Sequence, residues 1–478
     1  MMEVETKHGT LRGVREGRLC CFKGIPYAKA ERFRPTEEYH WEGTLDCTAF
    51  GKKAIQVWDI DRPYMPKQDP AEFSEDCLHL NIYTPSLEGR LPVVIYIHGG
   101  AFQDGSGQDR AGVDIIRDHD FVYVSLNYRL GVLGYLYLGR LLGERYQHTG
   151  NLGTLDQLAA VRWVYENIGA FGGDPERITL MGESAGAKSI SALLVRPEMK
   201  TYCKQVCLAS GAYQCIRDEE TADKLARRFL NYAGLEQAED LLTMPVDELL
   251  AAQKKLCAEP GNTCFFGPVA DGKVIPYDWH NQLDWGGSAI VGSCRNEVAF
   301  YKLFDPDFLE HAPNIAETLF GVNAEIAKRD FARLVKPNFD QAARSDLWVK
   351  ILTDYMYRTY SARMARRLLK NGGQVWYYST EFSKATHCLD QGLAFDGHGF
   401  PDEPDGPVKD AAPRLGRAIY ESYVRFFQSG DPNGAGIPAW PKLSEGDMRR
   451  MIWDVEPRVE TVPEDDVLDH FPEYVFKL

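Results

Sequence analysis

The chain has 478 residues, 44% of them hydrophobic and 26% charged, and a formal net charge of −15. That acidity argues against a nucleic-acid partner, because no basic run exists and phosphate would be repelled. No stretch approaches the ~20 consecutive apolar residues of a membrane span, and no Cys/His spacing is zinc-like, so neither a metal nor a cofactor is expected.

Eleven cysteines, an odd number that includes the adjacent pair Cys20-Cys21, read as reduced thiols of a cytoplasmic protein. Met1-Met2-Glu3-Val4-Glu5 lacks the basic and apolar regions of a signal peptide, although a secreted protein relieved of its signal would look the same. In chain order, residues 4–28 read as a first hairpin. Residues 91–97 form an apolar run (Val93, Val94, Ile95, Tyr96, Ile97) of the buried-strand kind, ending in His98-Gly99-Gly100-Ala101-Phe102. Small residues at a strand end expose backbone N–H groups that a carbonyl oxygen can approach closely. Leu158, Val161, Tyr165 and Ile168 then recur at helical spacing.

Ile178, Thr179 and Leu180 lead into Met181-Gly182-Glu183-Ser184-Ala185-Gly186, and residues 187–195 form helix. A strand, a tight turn and a helix with serine at the apex is the nucleophile elbow of serine hydrolases, in which the N–H after the serine (here Ala185) helps to bind an oxyanion. Between 218 and 255 two amphipathic stripes follow. The first (Ala222, Leu225, Ala226, Phe229, Leu230) stops at Gly234, and the second starts at Pro245, a good first-turn residue.

The strand at 288–292 is followed by Ser293-Cys294-Arg295-Asn296-Glu297, and a late strand at 374–382 by Ala385-Thr386-His387-Cys388-Leu389-Asp390. In an elbow-type hydrolase the triad runs Ser, then Asp or Glu, then His. The histidines after Ser184 are His280, His311, His387, His398 and His470. His387 lies just beyond a strand end, where the carboxyl edge of a sheet collects reactive groups; His398 in its Gly-His-Gly turn is the rival. Among acids, Asp271 reads as a turn residue and Asp278 and Asp284 as surface groups. Leu415, Ile419, Tyr423 and Phe426 mark a final helix, and the chain shows no internal repeat.

These motifs, in this order, resemble the type-B carboxylesterases, the cholinesterase and carboxylesterase group of the α/β-hydrolase fold, and above all the bacterial p-nitrobenzyl esterase branch with its His-Gly-Gly-Ala-Phe loop. The match runs from Phe22-Lys23-Gly24-Ile25-Pro26-Tyr27-Ala28 and Arg32-Phe33, through Ser74-Glu75-Asp76-Cys77-Leu78-His79-Leu80-Asn81 and Asn127-Tyr128-Arg129. It continues through Gly150-Asn151-Leu152-Gly153 and Phe171-Gly172-Gly173-Asp174-Pro175 to Ser429-Gly430-Asp431-Pro432-Asn433 and Trp440-Pro441. The resemblance implies a single α/β-hydrolase domain over 1–478. Its central sheet would be large, mostly parallel and flanked by helices, with helical cap insertions near 216–265 and 298–370. Length alone, at ~150 residues per domain, would allow three domains.

By the same resemblance the protein is a serine esterase for small-molecule carboxylic esters, monomeric or weakly homo-oligomeric. Ser184 is the nucleophile, His387 the base, Glu297 the acid that orients it, and Gly100, Ala101 and Ala185 the oxyanion donors. Glu183 would point into a buried water network and Ser210 would lie near the acid. Arg32 with Glu75 and Arg129 with Asp156 would form core salt bridges. Secreted relatives pair the cysteine matching Cys77, but the partner stretch here reads Phe50-Gly51-Lys52-Lys53-Ala54. Cys47 with Cys77, or Cys257 with Cys264, remain as alternatives. A lipase or an amidase uses the same triad, and a non-catalytic binding relative would lack the serine that this chain keeps.

Overall fold

The computed structural model describes all residues except 58–67, 111, 260–265, 304–306, 397–406, 463–469 and 473–478, so that Cys264 and His398 lie outside the described residues. The chain forms two compact units. The first comprises Met1–Cys207, Asp218–Cys257 and Phe266–Trp285, and the second Leu208–Arg217, Ala258–Phe265 and Gly286–Leu478.

The first unit opens with three antiparallel strands, Met2–Thr6, Gly9–Glu16 and Leu19–Pro26, where the sequence predicts one hairpin. Two tight turns divide the segment: Lys7-His8 lies between the paired residues Thr6 and Gly9, and Gly17-Arg18 between Glu16 and Leu19. Gly17 has φ +57°, which a two-residue hairpin turn requires. The strands His79–Thr84, Val122–Leu126, Leu91–Ile97 and Gly173–Glu183 continue the sheet in that spatial order. The last three run parallel. Val122–Leu126 is buried at every position, as a strand covered on both faces must be, and its residues are correspondingly apolar apart from Ser125.

Helix Glu219–Ala233 starts where Asp218 accepts a bond from the N–H of Thr221 (2.7 Å) and stops at Gly234, φ +69°. Val246–Cys257 follows Pro245, with Asp247 and Glu248 in its first turn and Lys254 and Lys255 in its last, the charge order that a helix dipole favours.

In the second unit Ser288–Cys294, Gln374–Thr380 and Arg449–Trp453 are parallel neighbours, and Arg458–Thr461 closes the edge antiparallel. Helices Ala312–Phe320, Ala324–Leu334, Gln341–Thr353 and Thr359–Lys370 occupy the segment between the first two strands. A π-helical turn, Asp354–Arg358, joins the last two of these helices. Leu415, Ile419, Tyr423 and Phe426 are buried along the helix Pro407–Ser429.

Among the described residues no helix is long and apolar enough to cross a membrane. Cys47 and Cys77 are both buried free thiols, so they do not form the disulfide considered as an alternative. Burial pushes the Cys47 thiol up to about 12. Spacing alone could not exclude the pair, because whether two thiols bond depends on their distance and direction in the fold.

Of the two expected salt bridges, only one is fully in the core. Arg32 Nε lies 3.0 and 3.1 Å from the carboxylate of Glu75, with both side chains partly exposed. Arg129 and Asp156 are buried: Nε and one terminal nitrogen of Arg129 donate to the two oxygens at 2.8 and 2.6 Å, and the Arg129 backbone N–H adds a third bond at 3.0 Å. Another guanidinium nitrogen donates to the Arg34 carbonyl at 2.7 Å. Replacing Asp156 by Ala leaves that cation buried and unpaired, and should cost about 3–5 kcal/mol in urea unfolding. An unchanged midpoint would show that the pair contributes nothing to stability.

Candidate active site

The parallel register pairs Ile97 with Gly182, so the loops leaving strands Leu91–Ile97 and Gly173–Glu183 emerge side by side. Ser184 sits at the turn with φ 54° and ψ −122°, immediately before the helix Ala185–Leu193. No β-carbon fits at the glycine two residues to either side of it. One on Gly182 would stand 2.6 Å from the Gly186 carbonyl carbon, and one on Gly186 only 2.0 Å from the oxygen of Ile97. Helix and strand therefore touch through glycine, and the serine, half-buried, is held in a backbone region that ordinary side chains avoid. Ala185 opens the helix, where backbone N–H groups have no intrahelical acceptor.

The loop after Ile97 passes beside this turn: a β-carbon on Gly99 would lie 3.3 Å from the Ser184 β-carbon. Gly100 (φ 104°), Ala101 (52°) and Phe102 (61°) take three successive positive φ values. The Gly100 carbonyl accepts bonds from the N–H groups of Gln103 (2.8 Å) and Asp104 (3.0 Å), which turns it inward to the loop. His98 anchors the start. Its buried ring stacks on Tyr128 at 4.4 Å, its Nδ1–H donates to the Gly99 carbonyl (2.8 Å), and its own carbonyl accepts from the Tyr128 hydroxyl (2.9 Å). Burial lowers the pKa of His98 to about 4.

Glu183 accepts a bond from the Tyr96 hydroxyl (3.1 Å) and pairs with Arg110 (2.9 Å). The Arg110 guanidinium also lies over the Tyr96 ring, 5.1 Å from its centroid.

The second unit carries Glu297, His387 and Ser210. A Glu297 carboxylate oxygen accepts from Nδ1–H of His387, which fixes the tautomer and leaves the ring lone pair on Nε2. The other oxygen accepts from the N–H of Cys294 at 2.7 Å, at the end of strand Ser288–Cys294. The two loops are laced together, with Asn296 N–H bonded to the Ala385 carbonyl (2.9 Å), its side-chain amide to that of Lys384 (2.8 Å), and Arg295 N–H to that of Thr380 (2.9 Å). Phe300 and Tyr357 flank the His387 ring at 5.4 and 5.2 Å, the latter delivered by the π-helical turn. Behind the pair, Cys294 Sγ lies 3.5 Å from Asp390, whose carboxylate also accepts from Tyr378 (2.7 Å) and Gln391 (2.9 Å). Burial raises the Asp390 carboxyl despite those bonds. Ser210 is buried at φ 52°, its N–H bonded to the Gly292 carbonyl at 2.9 Å.

The competing acids are otherwise engaged. Asp271 accepts from the N–H groups of Lys273, Val274 and Ile275 (2.9, 2.7 and 3.1 Å), closing a turn in the first unit. Asp284 pairs with Lys200 at the surface (2.6 Å), and Asp278 precedes the short helix Trp279–Gln282.

The model of the Carboxylesterase family matches residues 1–469. The chain belongs to the carboxylesterase family. Para-nitrobenzyl esterase of Bacillus subtilis is 32% identical over 97% of both chains, and phenmedipham hydrolase of Pseudarthrobacter oxydans 30% identical over 93% of both. Among solved structures, a carboxylesterase of Geobacillus stearothermophilus superposes with a TM-score of 0.84 at 33% identity, covering 98% of this chain and 100% of that one. A structure of p-nitrobenzyl esterase gives 0.80 at 30% identity, over 97% and 98% of the two chains. The fold is that of the α/β-hydrolases, a large and mostly parallel sheet flanked by helices, and the activity is carboxylic ester hydrolysis.

Sequence reasoning about this carboxylesterase misses Arg110 and Tyr96 as partners of Glu183, and Asp390 behind the Glu297–His387 pair. Tyr96 reads as one more apolar strand residue, and Arg110 lies in a loop with no periodic pattern. His98 yields a test. Its folded pKa near 4 lies below the ordinary value of 6.5, so its contribution is complete above about pH 6.5. That contribution is lost as the pH falls toward 4, because unfolding then takes up a proton. His98→Asn should flatten the acid limb of a stability-versus-pH curve over that window; an identical curve would show that His98 does not stay neutral.

Proposed function

We propose that this carboxylesterase hydrolyses esters of small to medium acyl chains with aryl or bulky alcohols, through a Ser184–His387–Glu297 triad and an acyl-enzyme. His387 Nε2 takes the Ser184 proton as the hydroxyl attacks the ester carbonyl. The developing oxyanion rests on the N–H groups of Gly100, Ala101 and Ala185. His387 then protonates the leaving alcohol, and water repeats the cycle on the acyl-enzyme. Glu297 holds the tautomer and stabilises the imidazolium that forms.

The observation that carries this reading is Ser184 itself: a serine at φ 54° heading a helix, wedged between two glycines with no room for a β-carbon. Strain at a single polar residue marks a site where geometry is held for chemistry. Ser184→Ala should fold normally and lose about 10⁶-fold in kcat, and His387→Ala nearly as much, while His398→Ala should cost less than about tenfold. A fluorophosphonate should add to Ser184 alone. Adduct on another serine, or the reverse ranking of the two histidines, would dismiss the triad.

The loop at Gly100 and Ala101 offers backbone donors with no large side chain beside the carbonyl, which supports bulky alcohols. A series of p-nitrophenyl esters should peak at short to medium acyl length, tert-butyl acetate should be cleaved measurably, and a matched anilide should be far slower. Preference for long-chain triglyceride emulsions, or equal rates on anilide and ester, would replace the substrate assignment with a lipase or an amidase.

A further inference from the structure

The loop that follows the oxyanion segment is built to aim one cation. Gly107 lies flat on the strand Val122–Leu126, where a β-carbon would stand 2.8 Å from backbone atoms of Leu126. Asn127 Oδ1 accepts from the Gly107 N–H (2.8 Å) and lies 3.3 Å from the Ser106 hydroxyl. The Asp109 N–H closes a turn onto the Ser106 carbonyl at 3.2 Å. The next residue, Arg110, is 7% exposed and pairs at 2.9 Å with Glu183, whose other oxygen takes the Tyr96 hydroxyl.

Glu183 is the residue before Ser184, and its Cγ lies 3.5 Å from where a β-carbon on Gly99 would stand. Its carboxylate charge thus belongs to the surroundings of the nucleophile and of the oxyanion loop. With side-chain exposures of 6% for Arg110 and 13% for Glu183, solvent screens neither charge well.

We propose that Arg110 is a specificity-determining residue. By pairing with Glu183 it cancels the negative charge next to the nucleophile, so that the enzyme accepts neutral and carboxylate-bearing esters instead of selecting cationic ones. The inference rests on Ser184 being the nucleophile. It concerns one loop and one strand-end within the first unit, and the two charges have opposite removal effects.

The test uses three aryl esters of matched length whose acyl chains end in a methyl, a carboxylate or a trimethylammonium group. One unit charge roughly 8 Å from another, at an effective dielectric near 20, changes relative kcat/KM about tenfold or more. Arg110→Met should move the cationic-to-anionic ratio up by at least that factor, Glu183→Gln should move it down, and Arg110→Lys should keep it within about twofold of wild type. If Arg110→Met does not fold, the sign of the Glu183→Gln shift decides. A ratio unchanged in active Arg110→Met or Glu183→Gln, or an Arg110→Lys shift as large as that of Arg110→Met, overturns the inference while leaving the triad intact. Failure of wild type to form a fluorophosphonate adduct at Ser184 overturns the nucleophile and the inference together.

Discussion

The approach of Gly186 to the carbonyl oxygen of Ile97 governs the first unit's chemistry. A β-carbon there would stand 2.0 Å from that oxygen, so only glycine lets the helix Ala185–Leu193 close onto the strand bearing the proposed oxyanion loop. With the helix pressed inward and the strand Gly173–Glu183 fixed by its parallel register with Leu91–Ile97, the single residue that joins strand to helix, Ser184, has no slack to relax. Ser184 is left at φ 54°, a conformation costing on the order of 1–3 kcal/mol that the buried strands on either side over-determine. The direction in which the Ser184 side chain leaves the backbone is thus a consequence of backbone packing.

The second unit reaches its geometry by another route. The Glu297–His387 pair is set by backbone and side-chain bonds between the two loops, around which Ser383, Ala385 and Cys388 adopt positive φ. The acid is completely buried and takes an N–H from Cys294 on one oxygen and the imidazole on the other. Both carboxylate oxygens are therefore hydrogen-bonded within the protein.

The sequence discloses the parts whose cause is local. The strand at 91–97 is legible from its apolar run, the elbow from glycines flanking a serine, and the end of the helix at Ala233 from Gly234. Parts decided by distant contacts are not. Arg110 meets Glu183 across 73 positions, aimed there by a loop that is seated through Gly107 on a neighbouring strand and bonded to Asn127. Residues 4–28 mislead because Lys7-His8 lacks the Asn, Asp or Gly that announces a tight turn. Order along the chain narrows the histidines to those after Ser184, yet His387 and His398 both follow the same strand. The bond to Glu297, 90 residues away, supports the proposal of His387 as the base, while His398 lies outside the described residues.

The buried thiols have a consequence for how this protein can be handled. Cys21, Cys47, Cys77, Cys203, Cys207 and Cys294 are buried, and burial raises each thiol above its ordinary value. The thiolate is the form that attacks an alkylating reagent, so the closed fold protects these sulfurs twice, by access and by protonation. Their modification rate reads the frequency with which the surrounding structure opens. Five of the six report on the first unit and Cys294 on the second, beside the catalytic glutamate proposed here. The chain thereby carries its own gauges of local unfolding, one set for each unit, without an introduced label.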